Sequence, residues 1–127
     1  AFSLVNDVQR GQVLDAEFNP NNIPKEIFLD NITIGRKYAL DAMYMEPFSV
    51  IGGYQGKVLI IHGDADELVD LKWSRLAQAA YIKGGADVEL KPIPNAGHIF
   101  NKSTYRNGAI AATLVFLDCK LDLHFVN

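Results

Sequence analysis

A continuous apolar run, Val58-Leu59-Ile60-Ile61, ends at His62-Gly63 and is followed by a helical pattern and then a second strand pattern, Val88-Glu89-Leu90-Lys91-Pro92-Ile93. An uninterrupted apolar strand is one covered on both faces, as in a parallel sheet. Asp70 is placed to cap the intervening helix, whose apolar face is Leu71, Trp73, Leu76, Ala77, Ala80 and Tyr81, and Gly84-Gly85 ends it. The second strand alternates apolar and polar residues and lies nearer an edge, because Pro92 brings no donor to a ladder. A last helix runs from about Tyr105 to Lys120, with Ile110, Leu114, Leu117 and Leu121 at helical spacing. The pattern is one β-α-β unit with a right-handed crossover, and the fold class is α/β. Two parallel strands do not bury their own backbone groups, so the sheet implied is larger than 127 residues supply.

The stretch from Gly11 to Gly56 has a different texture. Asn19-Pro20-Asn21-Asn22-Ile23-Pro24 is a cluster of turn formers, and the region reads as a loop-rich insertion rather than a packed layer. Within it Arg36 to Met45 is predicted as a short helix with Tyr38, Ala42 and Met45 on one face, widened by Leu40 and Met43, and Pro47 stops it. Tyr38, Met43, Tyr44, Met45 and Phe48 are packing residues on the plainer reading; on the sharper one, some of them line a substrate pocket.

Charge narrows the function classes. Lys and Arg total 12 against 15 Asp and Glu, a formal charge of −3, and no basic stripe runs along the chain, so nucleic acid has no electrostatic footprint. The single Cys119 excludes an internal disulfide and a thiolate-rich zinc site, favours a reducing cytoplasm, and reads as a buried thiol. No histidine pair has helix spacing for zinc, so no metal is expected. No apolar run reaches the roughly 18 residues of a membrane helix. Ala1-Phe2-Ser3-Leu4-Val5 has neither an initiator Met nor a charged n-region, and so reads as neither a signal peptide nor a natural beginning.

Two loops carry the chemistry. His62-Gly63-Asp64-Ala65-Asp66-Glu67-Leu68-Val69 follows the first strand and Pro94-Asn95-Ala96-Gly97-His98 the second. Adjacent parallel strands present both at the carboxyl edge of the sheet, where open α/β folds place their sites. An Asp and a His meeting there have the makings of a general base: the carboxylate fixes the imidazole tautomer and stabilises the imidazolium. Asp64, Asp66 and Asp70 compete for the acid, Asp64 being suited to a turn and Asp70 to a cap. His62, at a strand end, reads as structural, and His124 in the tail is uninformative.

Lys57 to Val69, followed by helix, strand and Ala96-Gly97-His98, resembles the C-terminal part of the α/β-hydrolase superfamily. Phe18 to Pro24 and Gly35-Arg36-Lys37-Tyr38 are similar to the lid of bacterial cinnamoyl or feruloyl esterases. The resemblance implies that Asp66, in an Asp-x-x-Val pattern with Val69, is the triad acid and that His98, in the Gly-His pair, is the base. Where the family often has Pro after that Val, this chain has Asp70. The implied organisation is residues 1–10 as the end of a preceding core strand and a link, 11–55 as a lid, and 56–127 as the C-terminal β-α-β-α portion of the core. It also implies an ester substrate, with Tyr38, Met43, Tyr44 and Phe48 against its acyl group, and no cofactor.

A hydrolase of this fold presents its serine in Gly-x-Ser-x-Gly, in the chain order Ser, Asp, His. Ser3, Ser49, Ser74 and Ser103 all lack the flanking glycines, and Cys119 comes too late in the order. The expectation is therefore the C-terminal portion of a longer serine esterase, inactive by itself and paired with an N-terminal half or self-associated. The alternatives are a non-catalytic interaction module built on the sheet edge, or another member of the superfamily such as a peptidase, thioesterase or dienelactone hydrolase.

Overall fold

The computed structural model describes residues 2–120, with side chains described from Leu4 to Asp118. The chain divides into two compact units, one running to Pro47 and the other starting at Phe48. That division falls eight residues before the Gly56 at which the sequence pattern changes.

The first unit opens with α1 (Phe2–Gln9), where the sequence reading expects the end of a strand. Val5 and Val8, three residues apart, are both buried, which is the spacing of one helical face. Two small antiparallel hairpins follow, β1 (Gln12–Val13) with β2 (Ala16–Glu17) and β3 (Glu26–Phe28) with β4 (Thr33–Gly35). They lead into α2 (Arg36–Met43). The unit is not the unpacked loop its prolines and asparagines suggest, because Val8, Val13, Ile23, Ile27, Ala39 and Ala42 close into one buried cluster. Each hairpin contributes one or two inward side chains, and α2 lays its two alanines against them. The Gln9 side chain holds the end of α2 from the other side, donating to the Met43 and Met45 carbonyls at 3.3 Å each.

The face of α2 differs from the one read from spacing. Ala39 and Ala42 are its buried residues, while Tyr38, Leu40 and Met45 are exposed. Small residues let the helix sit close to the hairpins, and the large ones turn outward. The helix ends at Met43, two residues short of the expected Met45, and Pro47 is not what stops it; Pro47 stands at the first position of the next helix, α3 (Pro47–Ile51), where a missing N–H costs nothing.

The second unit carries the predicted β-α-β unit. β5 (Lys57–Gly63) and β6 (Asp87–Ile93) pair in parallel, in register from Lys57 with Asp87 to Gly63 with Ile93. Between them lies α4 (Lys72–Lys83). The Asp70 carboxylate accepts the Lys72 backbone N–H at 2.7 Å, so it does organise the helix start. The chain leaves α4 through Gly84 and turns at Gly85, whose φ of +95° is open to glycine at little cost. Phe48 stacks on Trp73 with ring centres 6.4 Å apart and nearly parallel planes. α5 (Ser103–Lys120) starts two residues earlier than its periodicity suggests. Leu121 and His124, and the side chain of Cys119, lie outside the described residues.

The Val58–Ile61 run of β5 is continuously apolar, yet none of these four residues is fully buried. On α5, Ile110, Leu114 and Val115 are more than half exposed. The sheet has the composition of one covered on both faces and, among the described residues, only two strands.

Candidate active site

The parallel register decides where the two loops go. Gly63 and Ile93 form the last rung, so both loops leave the sheet at one edge. They are then sewn together. The Asp64 N–H donates to the Ile93 carbonyl at 3.1 Å and the Ala65 N–H to the Ala96 carbonyl at 3.0 Å. The Asp64 carboxylate accepts the Asn95 N–H at 2.6 Å, where Asn95 takes the left-handed φ of +57° that its short polar side chain tolerates. Asp64 therefore does not bond its own turn, as its position suggests; it ties the acid loop to the base loop. Gly63 passes so close to the Ala96 carbonyl that a methyl group would collide with it.

At the tip of this seam Asp66 meets His98. Nδ1 of His98 lies 2.9 Å from Oδ2 of Asp66, and since an ionised carboxylate only accepts, Nδ1 carries the proton and donates. The other carboxylate oxygen accepts the Leu68 N–H at 3.0 Å and the Val69 N–H at 2.8 Å, a turn formed by the Asp-x-x-Val segment itself. The Asp66 side chain is 4% exposed and that of His98 47%. The acid is thus buried and held by backbone donors, while the imidazole stands at the surface with Nε2 unpartnered among the described residues. Burial pushes the Asp66 carboxyl up, but the Val69 N–H, the His98 side chain, the Leu68 N–H and the charge of His98 together outweigh it and hold it below the ordinary 3.8. It is ionised at neutral pH.

The base loop has its own clamp. The Arg106 guanidinium donates to the carbonyls of Phe100 at 3.1 Å and Asn101 at 3.0 Å. Phe100 is held at a φ of +47°, an uncommon conformation for a bulky residue. Neither residue stands out in the sequence, because their part depends on how the chain turns after His98.

His62 is structural in the sense expected of it and closer to the site than a strand-end position implies. Its Nδ1 is 2.6 Å from Ser74 Oγ and its Nε2 2.8 Å from the Val69 carbonyl. Ser74 is thus engaged with His62, and no described serine is hydrogen-bonded to His98. Among the described residues no cluster of His, Cys, Asp or Glu is arranged to hold a metal ion.

The four acyl-contact candidates are not alike. Met43 is partly buried and packs against the buried cluster of the first unit. Tyr38 and Tyr44 are exposed, Tyr44 at 83%. Phe48 belongs to the second unit, stacked on Trp73.

A buried carboxylate fixing the tautomer of an exposed imidazole can serve as an orienting acid and a general base. The family model described as the prolyl oligopeptidase family matches residues 31–124. No curated protein matches the sequence. Among solved structures, Est1E from Butyrivibrio proteoclasticus with ferulic acid bound superposes with a TM-score of 0.72 at 24% identity, covering 89% of this chain and 44% of that one. Est1E from the same organism, in a second structure, gives 0.73 at 24% identity, covering 89% and 46%. The chain spans less than half the length of these structures, and the likeness establishes an α/β-hydrolase type of fold of which these residues form part.

Proposed function

This chain belongs to the prolyl oligopeptidase family, and from that premise we propose that it supplies the acid and base, Asp66 and His98, of a serine hydrolase cleaving carboxylic esters. The observation that carries the reading is the 2.9 Å hydrogen bond between a buried carboxylate and an exposed imidazole. The serine lies on polypeptide outside these 127 residues. Its hydroxyl proton passes to Nε2 of His98 as its oxygen bonds to the ester carbonyl carbon. When the tetrahedral intermediate collapses, the carbon–oxygen bond to the alcohol breaks and His98 returns the proton to that alcohol. Water then attacks the acyl-serine by the same path, with His98 again taking and returning one proton. Asp66 stays ionised throughout and orients the ring.

The ferulic acid bound to Est1E supports a hydroxycinnamate as the acyl group. The family name favours a second reading, in which a peptide bond is cut.

The experiment expresses a polypeptide extending upstream through a Gly-x-Ser-x-Gly segment to Asn127 and measures hydrolysis of methyl ferulate, p-nitrophenyl acetate and a prolyl anilide. Ester turnover is expected, falling roughly ten-thousand-fold in Asp66→Asn and at least as far in His98→Ala. Unimpaired turnover in both variants overturns the assignment, and preferential cleavage of the anilide replaces ester with peptide. The 127 residues alone are expected to show no turnover and no labelling by a serine-directed fluorophosphonate; labelling would refute that part.

A further inference from the structure

The acid is gripped from one side by His98, which is exposed, and from the other by a part-buried network that the reaction does not consume. Asp66 Oδ1 takes the Val69 N–H at 2.8 Å, and the carbonyl of that same Val69 accepts from Nε2 of His62 at 2.8 Å. A backbone carbonyl only accepts, so Nε2 of His62 carries the proton. Nδ1 is then the acceptor in the neutral ring, and Ser74 Oγ, 2.6 Å away on α4, donates to it. The same Nε2 stands 3.2 Å from Asp66 Oδ2, the oxygen that receives His98. The side chains of His62 and Asp66 are 11% and 4% exposed, so little water screens this contact. Strand β5, the acid loop and helix α4 are joined through one imidazole.

We propose that His62 is a positioning residue for the Asp66–His98 pair, acting through Val69 and through the Oδ2 edge of the carboxylate. A carboxylate held only by two N–H groups on one oxygen retains freedom to swing the other. His62 removes that freedom twice, by fixing the peptide that supplies one of those N–H groups and by placing a polarised N–H edge beside Oδ2. The bond that His98 makes is then directed before any substrate arrives. The inference rests on the acid–base reading above, but its test does not depend on turnover.

The three histidines of the full 127-residue chain, labelled with ¹⁵N, are read in long-range ¹H–¹⁵N correlation spectra. In the unaltered chain His62 is expected as the Nε2–H tautomer and His98 as the Nδ1–H tautomer. In His62→Leu the His98 signal moves to a mixture of tautomers, and amide exchange at Val69 quickens at least tenfold while exchange at Ile60 and Ile61 in β5 is unchanged. His62→Gln, which keeps an N–H donor at similar reach, restores both. A His62→Leu chain that stays folded with His98 still fixed as Nδ1–H overturns the proposal. So does the unaltered chain if His62 carries its proton on Nδ1, an outcome that needs no variant to fold. In the longer enzyme His62→Leu lowers kcat about tenfold, one hydrogen bond's worth of alignment, with KM unmoved. Loss of turnover in Asp66→Asn and His98→Ala, beside unchanged kcat and tautomer in His62→Leu, leaves the acid–base reading standing and removes only this one. Intact turnover in Asp66→Asn and His98→Ala removes the acid–base reading while the tautomer result stands by itself.

Discussion

The Asp64 carboxylate accepts the backbone N–H of Asn95 at 2.6 Å, bridging 31 positions of chain and joining the loop that carries Asp66 to the loop that carries His98. Replacing Asp64 with Ala leaves that N–H without its partner, and stability should fall by about 1.5 kcal/mol, the lower end of the net worth of a hydrogen bond to a charged group because this one is exposed. Asp64→Asn keeps an acceptor oxygen in place and should lose less. Urea unfolding of the two variants, side by side, checks the difference.

Gly63→Ala should be more damaging than its size suggests. The new methyl meets the Ala96 carbonyl, which belongs to backbone and is itself bonded to the Ala65 N–H, so neither side yields cheaply. A loss of roughly 1–3 kcal/mol is expected, with the His98 signals shifting in the NMR spectrum because the base loop is the part displaced.

Acid should weaken the chain through Asp66. Its folded-state carboxyl lies below the ordinary 3.8, so the unfolded chain binds that proton more readily. The stabilisation it gives is complete above the unfolded value and is lost as pH falls from there through the folded one. Asp66→Asn should flatten the slope of unfolding free energy against pH in this acid window. Chemical denaturation at a series of pH values tests this.

The first unit should respond to a change at its centre. Ile27 is 4% exposed within the cluster that also holds Val8, Val13 and Ala39. Ile27→Ala should cost about 2–5 kcal/mol and speed amide exchange at Val13 and Ala39. Unaltered exchange there would mean that this cluster is not a cooperative core.

Trp73 is the single tryptophan, and its ring stacks on Phe48. Phe48→Leu should therefore shift its emission to longer wavelength as water reaches the face that Phe48 covers. Emission that stays where it is would contradict the stacking.

The second unit was largely legible in the sequence because its signals are local. Val58 to Ile61 announces a strand by composition, and Asp66 and His98 stand in short motifs directly after strand ends. The first unit was not, since its core gathers single residues from α1, from a loop and from strands two or three positions long, too short to show a period, together with two small residues of α2. α2 misled for a related reason: Ala39 and Ala42 weigh little in any apolar pattern, yet they are the residues that reach the hairpins. Asp64, Arg106 and His62 carry no such local signal, because each acts through backbone groups that folding alone brings near. No spacing rule links Asp64 to Asn95.

The register of β5 on β6 has a consequence for how this pair can vary. The separation between acid and base is set by one ladder rung and three hydrogen bonds beyond it, not by the stretch of chain that runs between them through α4. Residues added or removed in the turn after Lys83 would change the length of that excursion without moving either end of it. The crossover is free to drift in length and surface, while a single-residue slip of β6 along β5 would carry His98 out of reach of Asp66 altogether.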